Sequence, residues 1–224
     1  MKNLIIFSLL SVLLSSCAEQ VTKGVRYAKL YEEKPVSKVV MPPINQTSNV
    51  AAKEYFYTTM YAPLCEKGYY VFSPYMTMEL FKGESAYDSE MFIEGDLSAF
   101  KNTLNADAAM FTVIKSWKKN AIGGKVTVGV EYILKSTITN EVLYKREGLI
   151  SVDTSVSAEG GGLLGMAISM AATAIKTAAT EHVVAGRKCN VYVLSDMPVG
   201  KYDENFGLDK DGLAGSPYIK GTVK

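Results

Sequence analysis

The run Gly160-Gly161-Gly162-Leu163-Leu164-Gly165 fits G-x-G-x-x-G, the pattern whose backbone amides hold a pyrophosphate at a helix N-terminus. Its surroundings argue against that chemistry. A dinucleotide site expects an acidic residue about 20 positions further on, after a parallel strand, whereas Asp196 lies about 30 beyond Gly165. Met166 and Ala167 stand where a P-loop would place Lys and Ser or Thr. His182 is the single histidine, so any Ser or Cys nucleophile that works through histidine must use it, and nothing points to such a pairing. One histidine and two separated cysteines cannot complete a four-ligand zinc site without carboxylates. Asp203-Glu204-Asn205 and Asp209-Lys210-Asp211-Gly212 suggest a calcium loop but lack the alternation and closing glutamate of an EF-hand. The expectation is a non-enzyme with no cofactor and no metal.

Cys17 has a different chemistry. Lys2 supplies a positive start, and residues 4–14 are apolar except for Ser8 and Ser11. A run of about 11 residues is short of the roughly 20 a spanning helix needs, so it reads as an export signal. Leu14-Ser15-Ser16-Cys17 has the form of a bacterial lipobox: an aliphatic residue, two small ones, and the thiol that takes diacylglycerol. Residues 1–16 are then the signal peptide and Cys17 the lipidation site. One acyl chain binds a membrane only marginally, and two or more, palmitate among them, anchor stably. Ala18 stands where Asp would retain a lipoprotein in the inner membrane, and residues 18–23 lack an acidic surface-export cluster. The expected location is the outer membrane, facing the periplasm.

Lys plus Arg number 24 and Asp plus Glu 23. No basic run could attract a phosphate backbone, so nucleic acid is not an expected partner. Cys65 and Cys189 would sit in an oxidising compartment, where they could form a disulfide or remain two buried thiols.

The elements that must position these residues follow from periodicity. Residues 17–35 show no sustained apolar period and read as a lipid-anchored flexible tether, reaching roughly 20 to 25 Å. Residues 36–41 form a first strand stopped by Pro42-Pro43. Ala52, Phe56, Met60, Pro63 and Leu64 recur at helical spacing, Gly68 ends that helix, and residues 69–73 form a second strand. Residues 75–82 and 96–105 are short helices. Residues 108–117 are nearly all apolar, as in a strand buried on both faces. Residues 126–134 and 141–153 alternate and form an antiparallel hairpin across Thr139-Asn140. A glycine- and alanine-rich helix covers 160–186, followed by a strand at 191–194. The order predicts one α/β domain over residues 36–195, with a mixed β-sheet packed by helices. Residues 196–224 read as a loop-rich C-terminal extension, weakly ordered from about 212.

Two surfaces suggest partners. Residues 160–175 carry no charge, and small residues at Gly162, Gly165, Ala167 and Ala171 would let a second backbone approach. The alternative is a core helix lying on the sheet. Tyr55, Phe56, Tyr57 and Tyr61 are too crowded for one helix face. Tyr57 and Tyr61 are expected outward, beside the loop of Pro42, Pro43, Asn45 and Thr47, as a partner-binding surface; the alternative is a partly covered aromatic belt over the helix.

Met41-Pro42-Pro43-Ile44-Asn45-Gln46-Thr47, Tyr55-Phe56 and Pro63-Leu64-Cys65-Glu66-Lys67-Gly68-Tyr69-Tyr70-Val71-Phe72 resemble a family of bacterial lipoproteins of unknown function, typified by a meningococcal surface-antigen lipoprotein. The likeness extends through Asp107-Ala108-Ala109, the hairpin and the glycine-rich helix. It implies a fold similar to the TolB N-terminal domain and to CsgG-like and LpoB-like periplasmic domains. It also implies a CsgG-like envelope lipoprotein as partner. The expected function is a non-catalytic periplasmic interaction component of an envelope-assembly or CsgG-like secretion system; the alternative is a lipoprotein that binds a small ligand or an envelope glycan.

Overall fold

The computed structural model describes residues 21–84, 87–119, 125–153 and 178–223. Cys17 and the small-residue set Gly162, Gly165, Ala167 and Ala171 lie outside them. The chain opens with helices α1 (Lys23–Arg26) and α2 (Ala28–Glu33), then strands β1 (Ser37–Val40) and β2 (Ile44–Asn45). Helices α3 (Ala51–Thr58) and α4 (Tyr61–Glu66) lead to β3 (Tyr70–Val71). Helices α5 (Pro74–Gly83), α6 (Glu90–Ile93) and α7 (Ser98–Leu104) precede three long strands, β4 (Ala108–Lys119), β5 (Lys125–Ser136) and β6 (Val142–Asp153). Helix α8 (Ala178–Leu194), a 3₁₀ turn at Asp209–Asp211 and β7 (Tyr218–Val223) complete it.

The strands form one mixed seven-stranded sheet in the order β3-β1-β4-β5-β6-β7, with β2 pairing β4 beyond the end of β1. The β1–β3, β1–β4, β2–β4 and β6–β7 pairs are parallel, and β4–β5–β6 is an antiparallel meander. Helices cover both faces of the sheet. On one face Met110, Ile114, Val130, Tyr132 and Ile150 pack with Phe56 and Leu64 of α3 and α4 and with Cys189 and Val193 of α8. On the other, Ala109, Phe111 and Ile133 pack with Phe81 and Phe100 of α5 and α7. Apolar residues of β4 thus serve both clusters, which explains its unbroken apolar run. Beyond α7 that second face carries charge instead. Lys115 bridges Glu131 and Glu147 at 3.0 Å each, and Lys145 reaches Glu131 at 2.8 Å.

Five expectations change. The helix expected from 52 onward is two helices. Pro63 has no N–H for the carbonyl of Thr59 and its ring crowds that carbonyl, so the turn breaks at Thr59-Met60 and proline falls in the first turn of α4. The expected strand at 191–194 is the last turn of α8, because Ala185, Cys189 and Val193 recur every four residues and are all buried against the sheet. Burial of that stripe outweighs the β preference of Val191 and Val193. Gly186 does not stop α8 either: a Cβ there would lie 2.8 Å from Thr59 Oγ1 and 3.2 Å from the Phe56 ring, so glycine is what lets α8 approach α3 closely.

The other two changes concern the ends. Residues 17–35 are not a flexible tether as far as they are described, because Tyr27 and Leu30, three positions apart, put one side of α1–α2 into the larger cluster. The C-terminal extension is turn-rich from 198 to 217, but its last six described residues before 224 are the ordered strand β7.

Candidate functional site

Residues 26–27 and 215–216 are locked together at the C-terminus of α8. Asp196 is buried there, and its carboxylate accepts from the Tyr27 hydroxyl and from Gly215 N at 2.8 Å. Arg26 Nη1 donates to Gly215 O at 2.5 Å. Buried Arg146 on β6 donates from Nη1 to Val193 O at 2.7 Å and from Nε to Ser216 O at 3.0 Å, and Tyr144 Oη also donates to Val193 O at 3.1 Å. Val193 belongs to the last turn of α8, whose carbonyls lack intrahelical donors and attract a cation. Burial, reinforced by the Asp196 hydrogen bond, pushes the Tyr27 phenol well above its ordinary pKa, so it stays a neutral donor.

This lock delivers residues 215–217 to β6 and sets β7 in register. Glu147 N donates to Pro217 O at 2.8 Å, and Glu147 stands opposite Tyr218. In a parallel ladder that phase turns the N–H and C=O groups of Tyr218, Lys220 and Thr222 away from β6, where the Tyr218 N–H is taken by Ser216 Oγ at 3.3 Å. Strand β7 ends the sheet, and among the described residues only β6 pairs with it. Beside this open edge, α8 presents Val191 at 48% and Tyr192 at 39% exposure, and Tyr218 on β7 is 50% exposed. Val184, Val191, Tyr192 and Val223 line a groove of 440 Å³ that Arg187 and Lys188 flank. Lys188 is engaged by the carbonyl of Asp153 at 2.6 Å. An edge with unpaired backbone groups next to an apolar groove can take an added strand.

The partner surface expected from sequence is not assembled. Pro42 and Pro43 are buried, and the Pro42 carbonyl accepts from Ser89 Oγ at 2.6 Å. Tyr57 is 2% exposed rather than outward, its hydroxyl held by Pro74 O at 2.9 Å and Thr77 Oγ1 at 2.8 Å. Asn45 builds an Asx turn, its Oδ1 accepting from Thr47 N at 3.1 Å and Thr47 Oγ1 at 2.8 Å. Of the six residues only Tyr61, at 42%, is an exposed side chain. The crowding of aromatics in α3 was real, but Pro74 and Thr77 of α5 supply a buried polar partner for Tyr57 that sequence spacing does not reveal. Cys65 and Cys189 are free thiols. Cys189 is in the core on α8, and burial pushes its thiol up to about 12. Among the described residues no three His, Cys, Asp or Glu side chains gather as a metal site, and no helix is long and apolar enough to cross a membrane. The β7 edge escaped the sequence reading because turn residues surround its six positions; the alternation Tyr218, Lys220, Thr222 against Ile219, Val223 was the available signal.

The family described as "Putative lipoprotein GNA1162-like" matches residues 25–198. A relative from Neisseria meningitidis serogroup B, "Putative lipoprotein NMB1124/NMB1162", is 24% identical over 196 residues, covering 87% of this chain and 90% of its own. Among solved structures, lipoprotein GNA1162 from N. meningitidis is 24% identical, with a TM-score of 0.48 over 63% of this chain and 98% of its own. A PelC dodecamer from Paraburkholderia phytofirmans is 14% identical, with a TM-score of 0.40 over 73% and 88%. The LpoB C-terminal domain from Salmonella enterica is 12% identical, with a TM-score of 0.34 over 57% and 93%. With most of its length inside the family match, the chain belongs to the GNA1162-like lipoproteins, a lipid-anchored envelope family of unknown function.

Proposed function

We propose that this lipoprotein is a non-catalytic docking component of the outer membrane, facing the periplasm, that serves an envelope-assembly or CsgG-like secretion system. Anchoring at Cys17 confines the domain near one membrane and raises the effective concentration of neighbouring lipoproteins. The observation that carries the reading is the open β7 edge beside the groove of Val184, Val191, Tyr192 and Val223. The occupant we assign is an extended segment of a partner lipoprotein, added as a strand, with apolar and acidic residues alternating. Its backbone pairs with Lys220 and Thr222, its apolar side chains enter the groove on the α8 face, and its carboxylates meet Lys220 on the opposite face. A second copy of this chain fits less well, since edge-to-edge pairing would bring Lys220 towards its own counterpart.

A photo-crosslinking residue placed at Thr222 in intact cells tests this. A discrete adduct with one envelope lipoprotein, mapped to an acidic strand-forming segment and lost in Lys220→Pro, supports it. That proline removes one outward donor while leaving the β6 ladder in place. A dimer adduct of the chain alone, or no adduct, refutes it.

A further inference from the structure

A second feature stands apart from the β7 edge, at the opposite end of the lock around Asp196. Helix α2 and the segment 198–210 enclose a cavity of about 180 Å³. Leu30, Pro35 and Tyr69 are buried at its floor, and the rings of Tyr31 and Phe206 stand at its sides. Both phenols have their polar ends occupied. Tyr69 Oη donates to Pro198 O at 2.7 Å, and Tyr31 Oη donates to Asp209 Oδ1 at 2.9 Å. They therefore offer the cavity their ring faces rather than their hydroxyls. Tyr69 is further held by Lys38, whose Nζ lies 3.2 Å from its ring centroid.

Lys34 and Lys210 are exposed lining residues, and among the described residues neither ammonium has a carboxylate partner; Lys210 lies 5.4 Å from the Tyr31 ring. Among the described residues no acidic side chain lines the cavity. Asp209, bonded to the cavity wall through Tyr31, is already satisfied by that hydroxyl, by Val199 N at 3.3 Å and by Lys23 at 3.5 Å. Aromatic walls with two exposed ammonium groups, one of them over the Tyr31 ring, suit a flat or chair-shaped ring that bears an anion. The volume is below the roughly 300 Å³ at which drug-sized pockets begin, so it holds a single ring.

We infer that this cavity is a binding site for one six-membered ring carrying a carboxylate, the ring packed between Tyr31, Tyr69 and Phe206 and the carboxylate met by Lys34 and Lys210. Such a ring could be an acidic sugar or a free aromatic acid, and the probes are chosen to separate the two.

The test is titration of the full-length protein in detergent, by calorimetry and ligand-observed NMR, with glucuronate and benzoate and their neutral counterparts methyl glucoside and benzyl alcohol. One acid is expected to bind saturably, about fivefold or more tighter than its neutral counterpart, as partly exposed charge contacts allow. Saturation by glucuronate assigns an acidic sugar, and saturation by benzoate an aromatic acid. Lys34→Met combined with Lys210→Met should weaken the acid about fivefold or more while leaving the unliganded unfolding temperature unchanged, since both side chains are at the surface. Phe206→Ala should weaken the acid and its neutral counterpart alike. The inference is overturned if neither acid saturates up to roughly 50 mM, a generous ceiling for a one-ring ligand, if the neutral compounds bind equally well, or if the double lysine variant keeps full affinity. The crosslinking at Thr222 does not depend on this result.

Discussion

Lys38 is fully buried in β1, between Val71 of β3 and Ala108 of β4, and its ammonium nitrogen has no hydrogen-bond partner. Burial pushes its pKa well below the ordinary lysine value, and the charge of Asp107 opposes this only in part. Replacing it with methionine keeps the length and removes the amine. Between the folded and unfolded pKa values the unfolded chain holds one proton more than the folded one. Stability therefore rises with pH in that window and falls as pH drops, by about 1.36 kcal/mol per unit. An unfolded lysine titrates near 10.4, so at pH 8 the native amine costs up to about 3 kcal/mol.

Lys38→Met should thus be more stable than the natural protein at pH 8, by up to about 3 kcal/mol, with the gap narrowing to under about 1 kcal/mol by pH 10. Urea unfolding at pH 8, 9 and 10 measures it, and the initial gap corresponds to a midpoint shift of roughly 1 M. Working with the difference between the two proteins matters, because buried Cys189 acts in the opposite direction. Its thiol, raised to about 12 in the fold, ionises first in the unfolded chain and lowers stability as pH rises. Both proteins share that slope. A gap that stays constant with pH, or a variant less stable at pH 8, would refute the assignment of Lys38 as a neutral, unpartnered amine.

Tyr27→Phe strands a buried Asp196 oxygen and should cost about 1 to 3 kcal/mol in thermal or urea unfolding; it should also speed amide exchange of Ile219 and Gly221, which the lock holds against β6. Burial alone would raise the Asp107 pKa, but the Lys101 ammonium at 2.8 Å and the amides of Ser37 and Val36 at 3.0 Å hold it at about 2. Its contribution is complete above pH 5 and lost as pH falls towards 2, by about 1 kcal/mol after discounting for partial exposure, a loss Asp107→Asn should not show in acid titration of stability. In the native protein a maleimide should label Cys65, which is partly buried, and reach Cys189 only after denaturation; a mass shift at Cys189 under native conditions would contradict its core position.

Much of the architecture was legible because its signals are local. The apolar run of β4, the alternation in β5 and β6, and the spacing of Ala52, Phe56, Met60 and Leu64 each state which face is buried. The misread elements are those where a distant partner decides. Val191 and Val193 favour a strand by type but form helix, because the stripe from Ala185 to Val193 lies on the sheet. Tyr57 looked like surplus aromatic surface until Pro74 and Thr77 came to meet it.

Taken alone, the amino-acid sequence carried the lipobox pattern Leu14-Ser15-Ser16-Cys17 and the mixed α/β class, since each is written in contiguous residues or in a short period. Only the tertiary structure decided that residues 21–33 and 213–223 belong to the domain. Tyr27 and Arg26 near one end meet Asp196 and Gly215 near the other, with Arg146 of the central meander beneath them. Contacts between residues 169 and 189 positions apart have no period to read. They exist because the sheet and α8 bring those positions together. The open β7 edge and the Tyr31–Tyr69–Phe206 cavity are both consequences of that closure.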